Sequence, residues 1–396
     1  MSVKDLATKN TKDTKKVWPT VRLGDVCEVR AGATHHEIVS DTGKYPVYGS
    51  GGYICQATTY RCPANTVTIG RKGTLDKPLL IEEPFWNIDT CFGVIPNEAL
   101  DAKYLWRFCQ NFDFYKLIPA IGRPSTNSDA IKSITIPLPP LTVQREIVAR
   151  LEKELGEADK LAAKFKRVAE LADNAFKAEL DETFKAAEDN SRRDAEARRV
   201  RLGDVCEFVR NGANIKQRKG AAGIPITRIE TLSGGVFNSQ KVGYADIMNE
   251  EPFEKHIVGI GDLLISHINS AQFVGRTVMY RGEINGPIIH GMNLLRARLL
   301  DSGKILPAYV ELWFKTISAR IYISGVTKKS VNQASVNTTD FKRMPIIRPP
   351  ISTQRAIIAK LNAAKGRCEK LKAAAMRGLA AAENLRKAIL AEAFEQ

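Results

Sequence analysis

Between Ile147 and Phe184 the apolar positions fall at Ile147, Leu151, Leu155, Ala158, Ala162, Phe165, Ala169, Ala172, Phe176, Leu180 and Phe184. Steps of four and three alternate, with repeated fours only towards the ends, and mostly polar residues fill the positions between. This is the stripe of a helix that packs along a partner helix. A second stripe runs through Ile357, Leu361, Ala364, Cys368, Leu371, Ala375, Leu379, Ala382, Leu385 and Ile389. Neither stripe can stay in water over such a length, so each is expected to cover the other. Alanine at many seam positions lets the two axes approach closely. About 43 residues rising 1.5 Å each span roughly 65 Å, so the pair predicts a rod that can serve as a ruler.

The two helices are copies of one another. IPLPPLTVQR at 136–145 answers IIRPPISTQR at 346–355, and the match set by Gln144 and Gln354 runs without a gap to Phe184 and Phe394. RLGDVCE stands at 22–28 and again, letter for letter, at 201–207. Such repetition decides the organisation: two halves, each made of RLGDVCE, a globular stretch, a double proline and a long helix. Equivalent halves related by a pseudo-twofold axis run their helices in opposite directions, so the expected pair is antiparallel and intramolecular. The prolines hold the approach extended, and Thr142, matched by Ser352, is expected to cap the helix. Gly366 and Gly378 interrupt the second helix at about 1 kcal/mol each and point to bending there.

The expected division is a flexible tail over 1–20, a first domain over 21–141, a long helix and linker over 142–200, a second domain over 201–351 and a C-terminal helix over 352–396. Short β-branched runs punctuated by glycine and proline indicate strands in 45–96. Residues 99–117 read as a helix with Leu100, Tyr104, Leu105, Phe108 and Phe112 on one face, and 306–323 occupy the equivalent slot. Residues 223–232 and 261–282 are strand-like. An exposed helical extension and a linker both fit 185–200. The two globular stretches share no further alignment. The fold class is therefore α+β: two globular α/β domains joined by two long antiparallel helices in a coiled coil, with pseudo-twofold symmetry from the repeat. Like scaffolds carrying unlike inserts suit two different recognitions in one geometry.

A chain of 396 residues, 44% apolar and 26% charged, has room for two ordinary globular domains. No stretch approaches the roughly 20 apolar residues of a membrane helix, and the start has no apolar signal core. The seven cysteines are odd in number and scattered, as in a cytoplasmic protein with reduced thiols. Cys27 and Cys206 share a repeat slot and read as small core residues. The histidines form no HxxxH or HExxH pair, and no metal site is expected. The net charge of +15 suggests a polyanionic partner. Its distribution is uneven, however: 21–141 is neutral and 201–351 carries +8.

Gly70-Arg71-Lys72-Gly73 sets two cations between glycines, where backbone approaches a phosphate closely and the side chains reach past it. A plain hairpin would read the same way. Ser50, Tyr53, Asn87, Arg123, Ser125 and Asn127 are the other polar turn residues of the first stretch. The second offers Arg228, Asn269, Ser270, Gln272, Arg276, Lys328, Lys329, Asn332 and Gln333. Arginine can hold guanine and asparagine adenine through paired hydrogen bonds, although helix-capping loops account for each residue nearly as well. No phosphate loop, dinucleotide fingerprint, Asn/Asp-Pro-Pro-aromatic tetrapeptide or nuclease-like carboxylate cluster is present. The chain reads as a binding protein without catalytic residues of its own.

These features together resemble the specificity subunit of type I restriction-modification systems: paired RLGDVCE and PP-(L/I)-x-x-Q-R segments, two seam helices, and YPVYGSGG, IGRKGT and FWNIDT in the first insert. The resemblance covers about 21–396. It implies that each insert is a target-recognition domain reading one half of a bipartite, asymmetric site in double-stranded DNA. The helices would fix the gap and dock two methyltransferase (modification) subunits. S-adenosylmethionine would then belong to those partners, and ATP and Mg to the complete enzyme with its restriction subunits. Two rivals stay open, a coiled-coil scaffold that binds only proteins and a catalytic nuclease or methylase fragment.

Overall fold

The computed structural model describes residues 18–118, 125–191, 198–218, 223–247, 251–301, 303–330 and 333–395. The expected tail lies outside them up to residue 17. The chain forms two compact units, residues 1–167 with 375–396, and residues 168–374. Each unit thus takes part of both long helices, Leu141–Ser191 and Ile351–Phe394.

In the first unit a four-stranded antiparallel sheet has the order Cys27–Ala31, Cys91–Pro96, Thr66–Gly70, Leu79–Ile81. Beside it Gly52–Ala57 pairs with Tyr45–Gly49, which pairs in parallel with Trp86–Asn87. The helix Ala102–Asn111 starts at Asp101, whose carboxylate accepts from the amides of Lys103 and Tyr104. Its apolar face closes a core of Val67, Ile69, Val94, Leu105 and Leu151, joined by Leu390 and Phe394 from the end of the second long helix. The Phe394 ring lies 5.2 Å from that of Tyr104 and 5.6 Å from that of Phe108.

The second unit repeats this order in unlike sequence: Cys206–Asn211, Leu294–Leu299, Leu263–Ser266, Thr277–Met279. Its core takes Leu180, Phe184 and Ala187 from the end of the first long helix, with Phe184 5.2 Å from Tyr309. The stretch expected as one helix at 306–323 is two, Pro307–Trp313 and Ile317–Val326, because Thr316 caps a new start by accepting from the Ala319 amide.

The repeated words are hydrogen-bonding devices. Gln144 is fully buried. Its oxygen accepts from the Asp101 amide at 2.8 Å, and its nitrogen donates to the Ala99 and Pro139 carbonyls at 2.9 and 2.8 Å. Gln354 does the same with the Leu306 amide and the Lys304 and Pro349 carbonyls. RLGDVCE closes on itself, Asp25 accepting from the Arg22 amide and Asp204 from that of Arg201. It is then tied to the return strand, the Leu23 amide donating to Ile134 and that of Leu202 to Met344, each at 2.8 Å. Cys27 and Cys206 are core residues as expected, and burial pushes both thiols up to about 12.

The helix pairing is antiparallel within each unit. In the second, Glu179 meets Arg367 and Asp173 meets Lys372, one helix stepping back as the other steps forward. In the first, Asp159 meets Arg386 at 3.3 Å and Phe165 lies against Gly378. Of the expected seam, Leu151, Leu155, Ile357 and Leu361 are buried, while Ile147, Phe165, Phe176 and Leu379 are partly so. Leu371 and Leu385 are corrections, being 49% and 36% exposed. A single partner helix covers only the central line, and close approach at alanines leaves longer flanking side chains uncovered. The glycines do not break the second helix, which is continuous from Ile351 to Phe394. A Cβ at Gly378 would stand 2.4 Å from the Phe165 ring, so that glycine seats the ring. The helices begin at Leu141 and Ile351, placing Thr142 and Ser352 inside the first turn. The first runs on to Ser191, which favours the helical extension over the linker as far as that residue.

The second unit also buries charge. Asp262 holds Arg298 through two bonds of 2.7 and 2.9 Å and lies 3.6 Å from the buried Arg296. His290, fully buried, has Nε2 2.8 Å from the Leu294 carbonyl. Burial first and Arg296 second push its pKa from 6.5 down to about 3. The unfolded chain takes up a proton that the folded chain refuses, so this contribution is whole above the unfolded pKa and is lost as pH falls towards the folded one. The slope is up to about 1.4 kcal/mol per pH unit. Between pH 6.5 and 5 the second unit is expected to lose about 2 kcal/mol, read from urea midpoints. His290→Asn should remove that part of the slope, and equal slopes in the two proteins would refute the assignment.

Candidate nucleic-acid interface

In the first unit the strand Thr66–Gly70 is buried throughout and must turn sharply at its end. A Cβ on Gly70 would lie 2.0 Å from the Thr74 carbonyl, and Gly73 adopts φ 77, so both glycines are required by the backbone. Thr90 gathers the neighbouring loops: its carbonyl accepts from the amides of Arg71 and Lys72, and its hydroxyl from that of Ser50. The Thr126 amide donates to the Arg71 carbonyl, and Lys72 bridges to Ser125. Ser50, Arg71, Lys72 and Ser125 therefore come together. Tyr53 stands at the adjoining hairpin, 56% exposed and edge-on to Tyr48. Lys72 faces Asp89 at 3.7 Å, both about half exposed, a pairing weak enough to yield to a phosphate.

Asn87 is a correction. Its side chain is fully buried, donating to the carbonyls of Arg30 and Cys91 and facing the Cys62 thiol. A buried amide must satisfy its own polar atoms, and this one serves as an internal brace. Asn127 caps the helix Ser128–Lys132 by accepting from the Ala130 amide at 2.8 Å, as Asn337 does for Thr338–Arg343. Arg123 and Asn332 lie outside the described residues.

In the second unit Ile268–Asn269, Gln333–Ser335 and Lys328–Ser330 form a small sheet in that order. Asn269 and Lys329 flank Ala334 from either side, so Asn269, Lys328, Lys329 and Gln333 are gathered in one place. Ser270, Gln272 and Arg276 follow on the next loop. Arg276 lies over the Phe273 ring at 4.5 Å and donates to the Leu232 carbonyl. Arg228 is engaged elsewhere, its Nε donating to Gln217. Sequence reading missed Arg320, which holds the 270–276 loop by donating to the Gln272 and Val274 carbonyls. Among the described residues no group of three or more His, Cys, Asp or Glu side chains is placed to hold a metal ion, and no helix is long and apolar enough to cross a membrane. Cations, hydroxyls and amides on loops, over sheets of one topology, are the equipment of a surface that meets a polyanion and reads it by hydrogen bonds.

Comparison with known proteins gives the family. The family model described as "Type I restriction modification DNA specificity domain" matches residues 15–163 and 196–373. The chain belongs to that family and carries its domain twice. The type I restriction enzyme EcoKI specificity subunit of Escherichia coli is 26% identical over 315 residues, 77% of this chain and 67% of that protein. A Methanocaldococcus jannaschii protein named for the MjaX specificity subunit is 38% identical over 156 residues, 39% of this chain and only 36% of that protein's length. Among solved structures, one from a study of complex assembly and conformational transition of the type I R-M system has a TM-score of 0.73 at 19% identity, covering 97% of this chain and 99% of that one. The HsdS subunit from Thermoanaerobacter tengcongensis has a TM-score of 0.53 at 19% identity, covering 98% and 99%. At such identity these structures bear on the fold alone.

Proposed function

We propose that this chain is the non-catalytic DNA-reading subunit of a type I restriction-modification enzyme. Each unit reads one half of a bipartite, asymmetric site in double-stranded DNA, the helix pair sets the gap, and two methyltransferase subunits dock on the helices. Restriction subunits complete the assembly in the cytoplasm, with S-adenosylmethionine, ATP and Mg on the partners. One observation carries this reading: the two units have the same strand order and the same glutamine latch beneath loops of unlike sequence. Duplicated latches with diverged loops suit two readers of different targets. The proposed DNA contacts in the first unit are Ser50, Tyr53, Arg71, Lys72 and Ser125, and in the second Asn269, Ser270, Gln272, Arg276, Lys328, Lys329 and Gln333, some meeting base edges and some phosphates.

The test is genome-wide mapping of methylated bases in a host carrying the complete system. A two-part motif with unlike halves and a constant gap is expected. A continuous palindrome, or no methylation dependent on this chain, would overturn the reading and favour a scaffold that binds only proteins.

A further inference from the structure

The loop 270–276 and the helix Ile317–Val326 enclose a pocket of about 260 Å³ lined by Ala271, Arg320, Ile323, Ser324, Thr327 and Lys329. Its construction is specific. A Cβ on Gly275 would stand 2.4 Å from Ile323 Cδ1, and that glycine has φ 78, so only glycine lets the loop close onto the helix. Arg320 then fixes the loop from the other side, at 2.6 Å to the Val274 carbonyl and 3.2 Å to that of Gln272. Among the described residues the rest of its five N–H donors have no hydrogen-bond partner.

The charge here is unbalanced. Arg281 and Lys315 of the same unit are matched by Glu311, and Arg298 by Asp262. Arg276, Arg320, Lys328 and Lys329 have no carboxylate within salt-bridge reach among the described residues. Arg276 is near enough to Arg320 to add to burial in lowering its pKa, though an arginine stays charged. The floor is the aliphatic Ile323, with no ring to stack a base and no carboxylate to accept from a base amino group. A group that is anionic, compact and rich in acceptors fits this lining best.

We propose that this pocket seats one backbone phosphate of the DNA, held by Lys329 and Arg320, and anchors the second unit without regard to sequence. The inference rests on the DNA-reading function and adds a positioning site to it. Phosphate contacts weaken binding uniformly when removed and lower the salt dependence, whereas base contacts act on the cognate sequence alone.

The experiment uses the full-length chain, fluorescently labelled cognate and unrelated duplexes, and a salt titration. Lys329→Ala, at an exposed position, should leave thermal unfolding unchanged. It should weaken both duplexes by the same factor, about three- to tenfold near physiological salt, and make the slope of log K against log salt shallower by about 0.9. Loss confined to the cognate duplex would make Lys329 a base reader and overturn the proposal. Wild-type binding with an unchanged variant would sink the pocket alone. A wild-type chain that binds no duplex would sink the DNA reading together with the pocket. Titration with inorganic phosphate covers the remaining source: saturable binding lost in Lys329→Ala, with unchanged DNA slopes, would assign the pocket to a free anion and overturn the DNA contact.

Discussion

Exchange of residues 29–135 for the corresponding insert of another specificity subunit is expected to change one half of the methylated motif and leave the other half and the gap as they were. The structure gives a physical reason why such an exchange should fold. Gln144 grips the insert only through the Asp101 amide and the Ala99 carbonyl, and Leu23 through the Ile134 carbonyl. Backbone atoms are present whatever the side chains, so the latches tolerate a foreign insert. The demand on side chains is at the helix Ala102–Asn111, where Tyr104 and Phe108 receive Phe394. Leu105, Phe114 and Ile131 of the insert share the same core with the retained Leu23, Val148, Leu151 and Leu155, so a donor insert that keeps apolar residues on those faces should assemble. Methylation mapping reads the outcome, and a change in both halves would refute independent readers.

Truncating that receiving contact should have a large effect on stability. Phe394→Ala removes a ring that is 9% exposed and packed on two aromatic neighbours, and a loss of about 3–5 kcal/mol is expected from the transfer and cavity terms together. Phe184→Ala should cost a similar amount, because Phe184 stands on Tyr309 as Phe394 stands on Tyr104. Each loss should be local. Hydrogen exchange should accelerate in 99–117 for Phe394→Ala and in 306–323 for Phe184→Ala. If Phe394→Ala left 99–117 protected, the second helix would not complete the first unit's core.

Much of the scaffold was legible in the chain, for a reason visible in its hydrogen bonds. Asp25 and Asp204 serve amides three positions away and Gln144 and Gln354 prolyl carbonyls five away, while the glutamines' other partners, 43 to 50 positions off, recur in the same repeat frame. Their side-chain chemistry had to be copied when the segment was copied. The helix stripes were legible because burial at a helix interface follows the turn of the helix, although one partner could not cover every apolar position. Leu371 and Leu385 show the limit: period identifies a face, and the width of the covered strip depends on how near the partner comes.

The loops were a different case. Asn87 looks on paper like a base reader, yet its amide braces the Arg30 carbonyl, 57 positions away. Arg320 sat unnoticed in an apolar helical run, and the loop it grips lies 46 to 48 residues earlier.

By itself the sequence determined the duplication, the strand-rich inserts, the antiparallel helix pair and the membership of a DNA-specificity family, because local period and repeated words encode them. Only the tertiary structure decided which polar side chains face outward, which helix end completes which core, and where cations meet without a counter-charge. Those outcomes depend on contacts between residues far apart in the chain, and neither spacing nor composition carries that information.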